Sequence, residues 1–382
     1  MKMKCSEHTK IKVLFVIHDL SVGGAEKVLI NLVNNMDYSK FDVSVLALFD
    51  EGVNKQFLNK NVTYRYAFKH AIRGNSQYMK LLSPERLYSW LIPDEYDIVI
   101  SYLEGPSARI VGGSPKKKEK IVSWIHCTYH SEKEVAKSFR STKEAYACYG
   151  KSDNMVFVSE EVKQAFLQHC PIKCEMSVLY NTNETDKIVS KAAEIVEDEN
   201  FSENKFYWCG VGKIVPNKGF DRMLRIQKRL IEEGYNIKLL ILGTGWQEDE
   251  LKKWCEENRI SDAVNFLGYQ TNPYKYVSKC DLFVCASHAE GFSTAATEAL
   301  IVGTPVCTVE VSGMKEMLGK NNEFGVIVKN DEEALYEGIK TLLDNPMLLK
   351  HYKEMSLQRG KDFSTSETVN AVQKMLFGLM EM

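Results

Sequence analysis

Short apolar runs alternate with amphipathic stretches from one end of this 382-residue chain to the other. The runs over 12–17, 42–48, 97–102, 120–125 and 154–158 each open on a polar residue and are then apolar on almost every residue. They lack the in-out alternation of a strand with one wet face. Between them, 24–36, 78–91 and 132–149 carry helical spacing. Strands buried on both faces and separated by helices predict an α/β chain with parallel sheets covered on both sides.

The alternation pauses over 181–205, where Glu197-Asp198-Glu199 and a polar stretch intervene. It then restarts with strands expected over 206–211, 237–242, 263–266, 281–286, 305–309 and 325–328. Helices are expected over 218–233, 247–258, 294–302 and 332–343, the third stopped cleanly by Gly303-Thr304-Pro305. The length suits two domains. The expected architecture is a pair of Rossmann-like, doubly wound domains facing a cleft. The boundaries expected are 1–185 for the first domain, 186–205 for a linker, 206–360 for the second domain and 361–382 for a helix returning to the first. Ligands of such sheets bind at the carboxyl ends of the strands, so the loops there carry the functional argument.

Composition narrows the partners. The formal net charge of −2 gives no overall basic excess to hold nucleic acid. The ten cysteines include no Cys-x-x-Cys pair, and most lie in apolar stretches, which predicts free thiols in a reducing cytoplasm. No apolar run approaches the ~20 residues of a membrane span. Contact with an anionic membrane would therefore be peripheral, through Lys116-Lys117-Lys118-Glu119-Lys120 and through Lys133, Lys137, Arg140 and Lys143. A solvated charged face explains the same residues equally well.

Four strand exits draw attention. The first is His18-Asp19-Leu20-Ser21-Val22-Gly23-Gly24, where glycines before a helix permit close approach to the backbone. It lacks the Gly-x-Gly-x-x-Gly of a dinucleotide site. The second is Gly212-Lys213, followed by Lys218-Gly219 at a helix start. Two cations and a helix N-terminus can neutralise a diphosphate without a metal; two solvated lysines are the plainer alternative. The third is Leu242-Gly243-Thr244-Gly245, with Phe266-Leu267-Gly268-Tyr269 beyond it, where turn chemistry or a flat base would serve. The fourth is Glu290-Gly291-Phe292-Ser293-Thr294, leading into a helix that carries Glu298. Two carboxylates flanking a helix start suit hydroxyls on both sides of a bound phosphate, as in a nucleotide sugar.

Taken in order, these pieces resemble glycosyltransferase family 4, the retaining enzymes of GT-B fold, and Ser101-Tyr102-Leu103-Glu104-Gly105 resembles the subset that builds bacterial capsules, exopolysaccharides and lipopolysaccharides. The resemblance runs from Val13 to the final helix. It implies roles position by position. Lys213, where the family often has Arg, and Lys218 would hold the donor diphosphate. Glu290 would meet the donor sugar, and Glu298 the ribose hydroxyls. Gly291, Phe292, Ser293 and Thr294 would supply donor contacts, with Gly24, Gly245 and Tyr269 completing the donor side. His126, within Trp124-Ile125-His126-Cys127, would face the donor sugar from across the cleft. Gly23 and Glu104 would line the acceptor side. Catalytic roles fall to Glu290, His126 and Lys218. Three departures stand out: Lys213 loses the guanidinium fork, Trp246 replaces the usual Pro, and Asn181-Thr182-Asn183-Glu184 departs from the usual hinge pattern.

The resemblance implies a metal-independent hexosyltransferase without a cofactor. It would move a sugar from a nucleotide-diphosphate donor, by default a uridine diphosphate sugar, to a saccharide or lipid-linked saccharide. A nucleotide-sugar isomerase or hydrolase on the same fold, and a non-catalytic subunit of a partner transferase, are the competing readings.

Overall fold

The computed structural model describes residues 10–21, 23–71 and 74–381, the side chains of residues 75 and 76 excepted. The chain divides into two compact units. One comprises the chain up to Thr182 together with the stretch from Ser366 onward; the other is Asn183–Thr365.

The first unit holds seven strands: β1 (Ile11–Ile17), β2 (Phe41–Phe49), β3 (Thr63–Phe68), β4 (Ile98–Ser101), β5 (Lys120–Ile125), β6 (Asn154–Phe157) and β7 (Glu175–Val178). They pair in parallel in the order β3-β2-β1-β4-β5-β6-β7. Val13 to Ile17 are fully buried, as a central strand covered on both faces requires. The order reverses between β1 and β4, so the loops leaving those two strands flank the crevice of this sheet.

The second unit holds β8 (Phe206–Val211), β9 (Ile237–Leu242), β10 (Val264–Gly268), β11 (Leu282–Cys285), β12 (Val306–Val309) and β13 (Val326–Val328). Their parallel order is β10-β9-β8-β11-β12-β13, with its reversal between β8 and β11. Both units are thus Rossmann-like and doubly wound.

Two expected helices are broken by their own caps. In place of one helix over 78–91 the chain forms Asn75–Met79 and Pro84–Leu91. Ser83 is extended and its hydroxyl accepts the Arg86 N–H, while Pro84 takes the first helical position. Likewise 132–149 splits into Glu132–Val135 and Thr142–Tyr149, capped by Ser131 and Ser141. The stretch after Thr182 contains a helix, Thr185–Ala192.

The last helix, Thr365–Glu381, carries Phe377 against Phe41 at 4.9 Å between ring centroids. The side chain of Gln373 accepts the Asp37 N–H at 2.7 Å. Among the described residues no helix is long and apolar enough to cross a membrane.

Candidate functional site

In the second unit the chain leaves β11 at Cys285 and enters the helix Thr294–Val302 through an eight-residue loop. That loop is pinned by its backbone. Arg222 Nε donates to the Ala286 carbonyl at 2.6 Å. Asn330 Nδ2 donates to the His288 carbonyl at 3.2 Å, and Asn217 Nδ2 to the Ala289 carbonyl at 3.1 Å. The His288 N–H returns a bond to the Asn217 carbonyl at 2.8 Å. Three side chains from distant parts of the unit thereby fix where Glu290 emerges.

Glu290 Oε1 is met there by three donors, the Cys285 thiol being the most distant at 4.0 Å. Lys218 Nζ lies 2.6 Å from Oε1, and the Ser287 hydroxyl donates to the same oxygen at 2.6 Å. Ser287 is buried, so its hydroxyl has a fixed direction. Lys218 follows β8 and Glu290 follows β11, the two strands at the order reversal.

Beyond Glu290, Gly291 and Phe292 lead to Ser293, which caps the helix by accepting the Ala296 N–H. Thr294 is the first helical residue. Glu298 lies one turn in, buried, with the Tyr274 hydroxyl 3.5 Å from its Oε1. Gly313 has φ +81°, and a Cβ there would stand 2.7 Å from the Phe292 ring. Glycine at that position lets Phe292 lie flat against the chain.

Lys213 is exposed at the end of β8 and makes no ion pair among the described residues. The turns after β8 and β9 touch: a Cβ on Gly243 would sit 1.9 Å from the Gly212 carbonyl oxygen, and one on Gly245 would sit 1.9 Å from that of Ile214. The glycines after β9 are therefore required by backbone packing alone. Trp246 and Tyr269 stand exposed beside them, 73% and 47% accessible, as flat surfaces at the same end of the sheet.

The first unit gathers its candidates at the ends of β1, β4 and β5, three neighbouring strands. Gly23 precedes the helix Gly24–Asn34, and the Glu26 carboxylate folds back so far that a Cβ on Gly23 would lie 2.1 Å from it. Glu104, after β4, accepts the backbone N–H groups of His126 at 2.5 Å and Cys127 at 2.6 Å. Burial raises the Glu104 carboxyl, and those N–H bonds oppose the rise. The carboxylate therefore holds the loop that follows β5.

His126 is half-buried among aromatics, 4.9 Å from the Tyr102 ring and nearly parallel to Trp124 at 6.1 Å. Burial pushes its imidazole down to about 3, against a smaller pull upward from a bond with the Tyr102 backbone. The ring is neutral. Its Nε2, the Tyr102 hydroxyl and Trp124 Nε1 are buried atoms with no hydrogen-bond partner among the described residues.

Sequence reasoning did not single out Ser287, Asn217, Arg222 or Asn330. Ser287 sat within the Glu290 motif and was legible; Asn330 lies 108 residues from Arg222 and was not. Among the described residues no three His, Cys, Asp or Glu side chains gather as a metal site.

Residues 22–187 match the model described as Glycosyltransferase Family 4, and residues 191–359 the model described as Glycosyl transferases group 1. The chain is 29% identical over 376 residues to an N-acetylgalactosamine-N,N'-diacetylbacillosaminyl-diphospho-undecaprenol 4-alpha-N-acetylgalactosaminyltransferase of Campylobacter jejuni, covering 95% of this chain and 98% of that one. It is 30% identical over 143 residues, 36% of this chain and 37% of the relative, to the capsular polysaccharide glycosyltransferase CapM of Staphylococcus aureus. Anabaena HepE, solved with UDP and glucose, superposes with a TM-score of 0.75 at 17% identity, over 97% of this chain and all of that one. That likeness is one of fold: GT-B.

Proposed function

The chain belongs to the glycosyltransferases, a family 4 domain followed by a group 1 domain, and we propose that it is a retaining hexosyltransferase using a uridine diphosphate sugar. The acceptor is a saccharide or a lipid-linked saccharide of bacterial surface polysaccharide synthesis. The C. jejuni relative, whose name specifies an undecaprenol-linked diphosphate acceptor, supports the lipid-linked form. The enzyme works in the cytoplasm and needs no divalent metal.

The observation that carries this reading is the Lys218–Glu290 pair beside a helix start, with Glu298 one turn further in. In transfer the bond from the anomeric carbon to the phosphate oxygen breaks, and one to the acceptor oxygen forms. Negative charge builds on the departing diphosphate while the sugar gains oxocarbenium character. Lys213, Lys218 and the backbone N–H groups at the helix start are assigned that charge, a preorganised electrostatic contribution. Lys218 is held by Glu290 before donor arrives, so diphosphate binding draws the ammonium away or shares it. Glu290 is then released toward the sugar hydroxyls. Glu298 takes the ribose hydroxyls.

We assign front-face attack. The acceptor hydroxyl gives its proton to the leaving phosphate oxygen, and nucleoside diphosphate departs. His126, being neutral, serves as a hydrogen-bonding partner for sugar rather than as an acid. Acceptor-dependent release of nucleoside diphosphate tests the proposal. Release without acceptor would instead favour a hydrolase or isomerase.

A further inference from the structure

The segment between the helices Asn75–Met79 and Pro84–Leu91 has two faces. Met79 and Leu82 point inward and pack on the first unit's core. Tyr78 and Leu81 point outward, 63% and 78% accessible. Leu81 is among the most exposed large apolar side chains of the described chain.

This turn is held from beneath. Arg109 Nη1 donates to the Met79 carbonyl at 2.9 Å and Nη2 to the Leu82 carbonyl at 2.8 Å. Arg140 takes the two carbonyls between them: its Nε donates to that of Lys80, and its Nη2 to that of Leu81 at 2.9 Å. Two arginines thus cap four consecutive carbonyls. Glu144 ties the pair together, receiving Arg109 at 3.0 Å and the Arg140 backbone N–H at 2.7 Å. Arg109 is only 1% exposed, so its charge is spent on this brace. Lys80 Nζ adds a strut to the Lys137 carbonyl at 2.7 Å.

The turn has no acid in it, its outward Tyr78 and Leu81 add nothing to the packed interior, and cations stand beside them. Such a feature is suited to an interface that is apolar within and anionic at its rim. We propose that the 78–82 turn is a membrane anchor, inserting Tyr78 and Leu81 into the headgroup layer of an anionic bilayer. Lys133, Lys137 and Lys143 meet lipid phosphates, while Lys80 and Arg140, whose donors hold the turn, add positive charge behind it. Glu85, Glu132 and Glu134 are exposed acids that offset it. Because the brace has already ordered the turn, insertion costs little further conformational freedom. The run over 116–120 is less suited: Lys116 is committed to Asp153 at 2.9 Å, and no exposed large apolar side chain lies within it.

The inference deepens the proposed function, since it rests on an acceptor presented at a membrane; its test is independent of transfer. The full chain is sedimented with phosphatidylcholine vesicles, with and without phosphatidylglycerol. Binding is expected only where the anionic lipid is present and should weaken with added salt. Leu81→Asp should reduce partition at least about tenfold, the worth of burying one large apolar side chain. Lys133→Gln with Lys137→Gln should reduce it about fivefold per charge. Unchanged unfolding midpoints and nucleotide-sugar thermal shifts establish that these surface variants fold. Failure of the native chain to bind anionic vesicles overturns the anchor, as does equal binding by Leu81→Asp and Tyr78→Ser. A chain that binds through Leu81 yet transfers no sugar overturns the enzymatic reading and leaves the anchor standing.

Discussion

Lys218 Nζ sits 2.6 Å from Glu290 Oε1, and the buried Ser287 hydroxyl reaches that same oxygen at 2.6 Å. One carboxylate oxygen therefore takes both donors. Removing either partner has a distinct consequence. Lys218→Ala should abolish the thermal shift produced by any diphosphate donor. Glu290→Gln should retain that shift but lower kcat by about 100-fold or more, as expected for a group acting at the reacting sugar. Donor shifts unaltered by Lys218→Ala would remove that lysine from the site.

Ser287→Ala should lower kcat about tenfold with little change in KM for donor. The basis is the ~1.5–3 kcal/mol of a hydrogen bond to a charged group. Steady-state kinetics with a saturating acceptor would read the split; a full-rate enzyme would show that the hydroxyl does not orient Glu290.

Glu104 and His126 are coupled through the backbone, so Glu104→Ala leaves two N–H groups without their acceptor. Expected is a loss in kcat of about tenfold or more, with nucleotide diphosphate affinity unaltered. Isothermal titration with the nucleotide alone separates the two. A weakened nucleotide with normal turnover would argue against this arrangement.

His126 stays neutral in the folded chain down to about pH 3. The unfolded chain takes up its proton near the ordinary ~6.5. Between those values the unfolded state binds more protons, so stability falls as pH drops through that window. Native protein should lose more stability than His126→Asn between pH 7 and 4, by on the order of 3 kcal/mol. Parallel urea-derived curves for the two proteins would contradict a neutral ring.

Gly245→Ala drives a Cβ to 1.9 Å from the Ile214 carbonyl oxygen, which is backbone and cannot swing aside. A cost of about 1–3 kcal/mol is expected, read as a lower melting temperature. Gly378→Ala is the contrast: a Cβ there meets nothing within 4 Å, and the residue lies in a helix. It should stabilise by about 0.5–1 kcal/mol. Equal effects of the two would undermine the packing account of the β9 exit.

Strands buried on both faces were legible because nearly every residue is apolar: 206–211 and 237–242 lie where the sequence predicts them, Lys238 being the one charged residue in them. The edge strands of the first unit, β3 and β7, were not, whereas those of the second, expected over 263–266 and 325–328, were. β3 is half wet, with Thr63, Arg65 and Tyr66 exposed, so Thr63–Phe68 shows no continuous apolar run. The chain also has a helix at Glu160–His169, capped by Ser159, which the sequence reading passed over. Ser83-Pro84 and Ser141 carried stop signals that helical spacing outweighed. At the site, Lys218 and Glu290 lie 72 residues apart and meet because β8 and β11 are neighbours, a relation that sheet order alone dictates. Their supports, Arg222 and Asn330, were illegible because a backbone carbonyl as partner leaves no mark in sequence.

The first unit is closed by the end of the chain. Its sheet is drawn from residues before Thr182, yet Phe377 packs on Phe41 and Gln373 holds Asp37. During synthesis the ribosome must therefore deliver the entire intervening unit before the opening half can be sealed. A nascent chain halted near Thr182 would leave Phe41 without its aromatic neighbour. Shortening the C-terminus should accordingly injure the half of the protein that was made first.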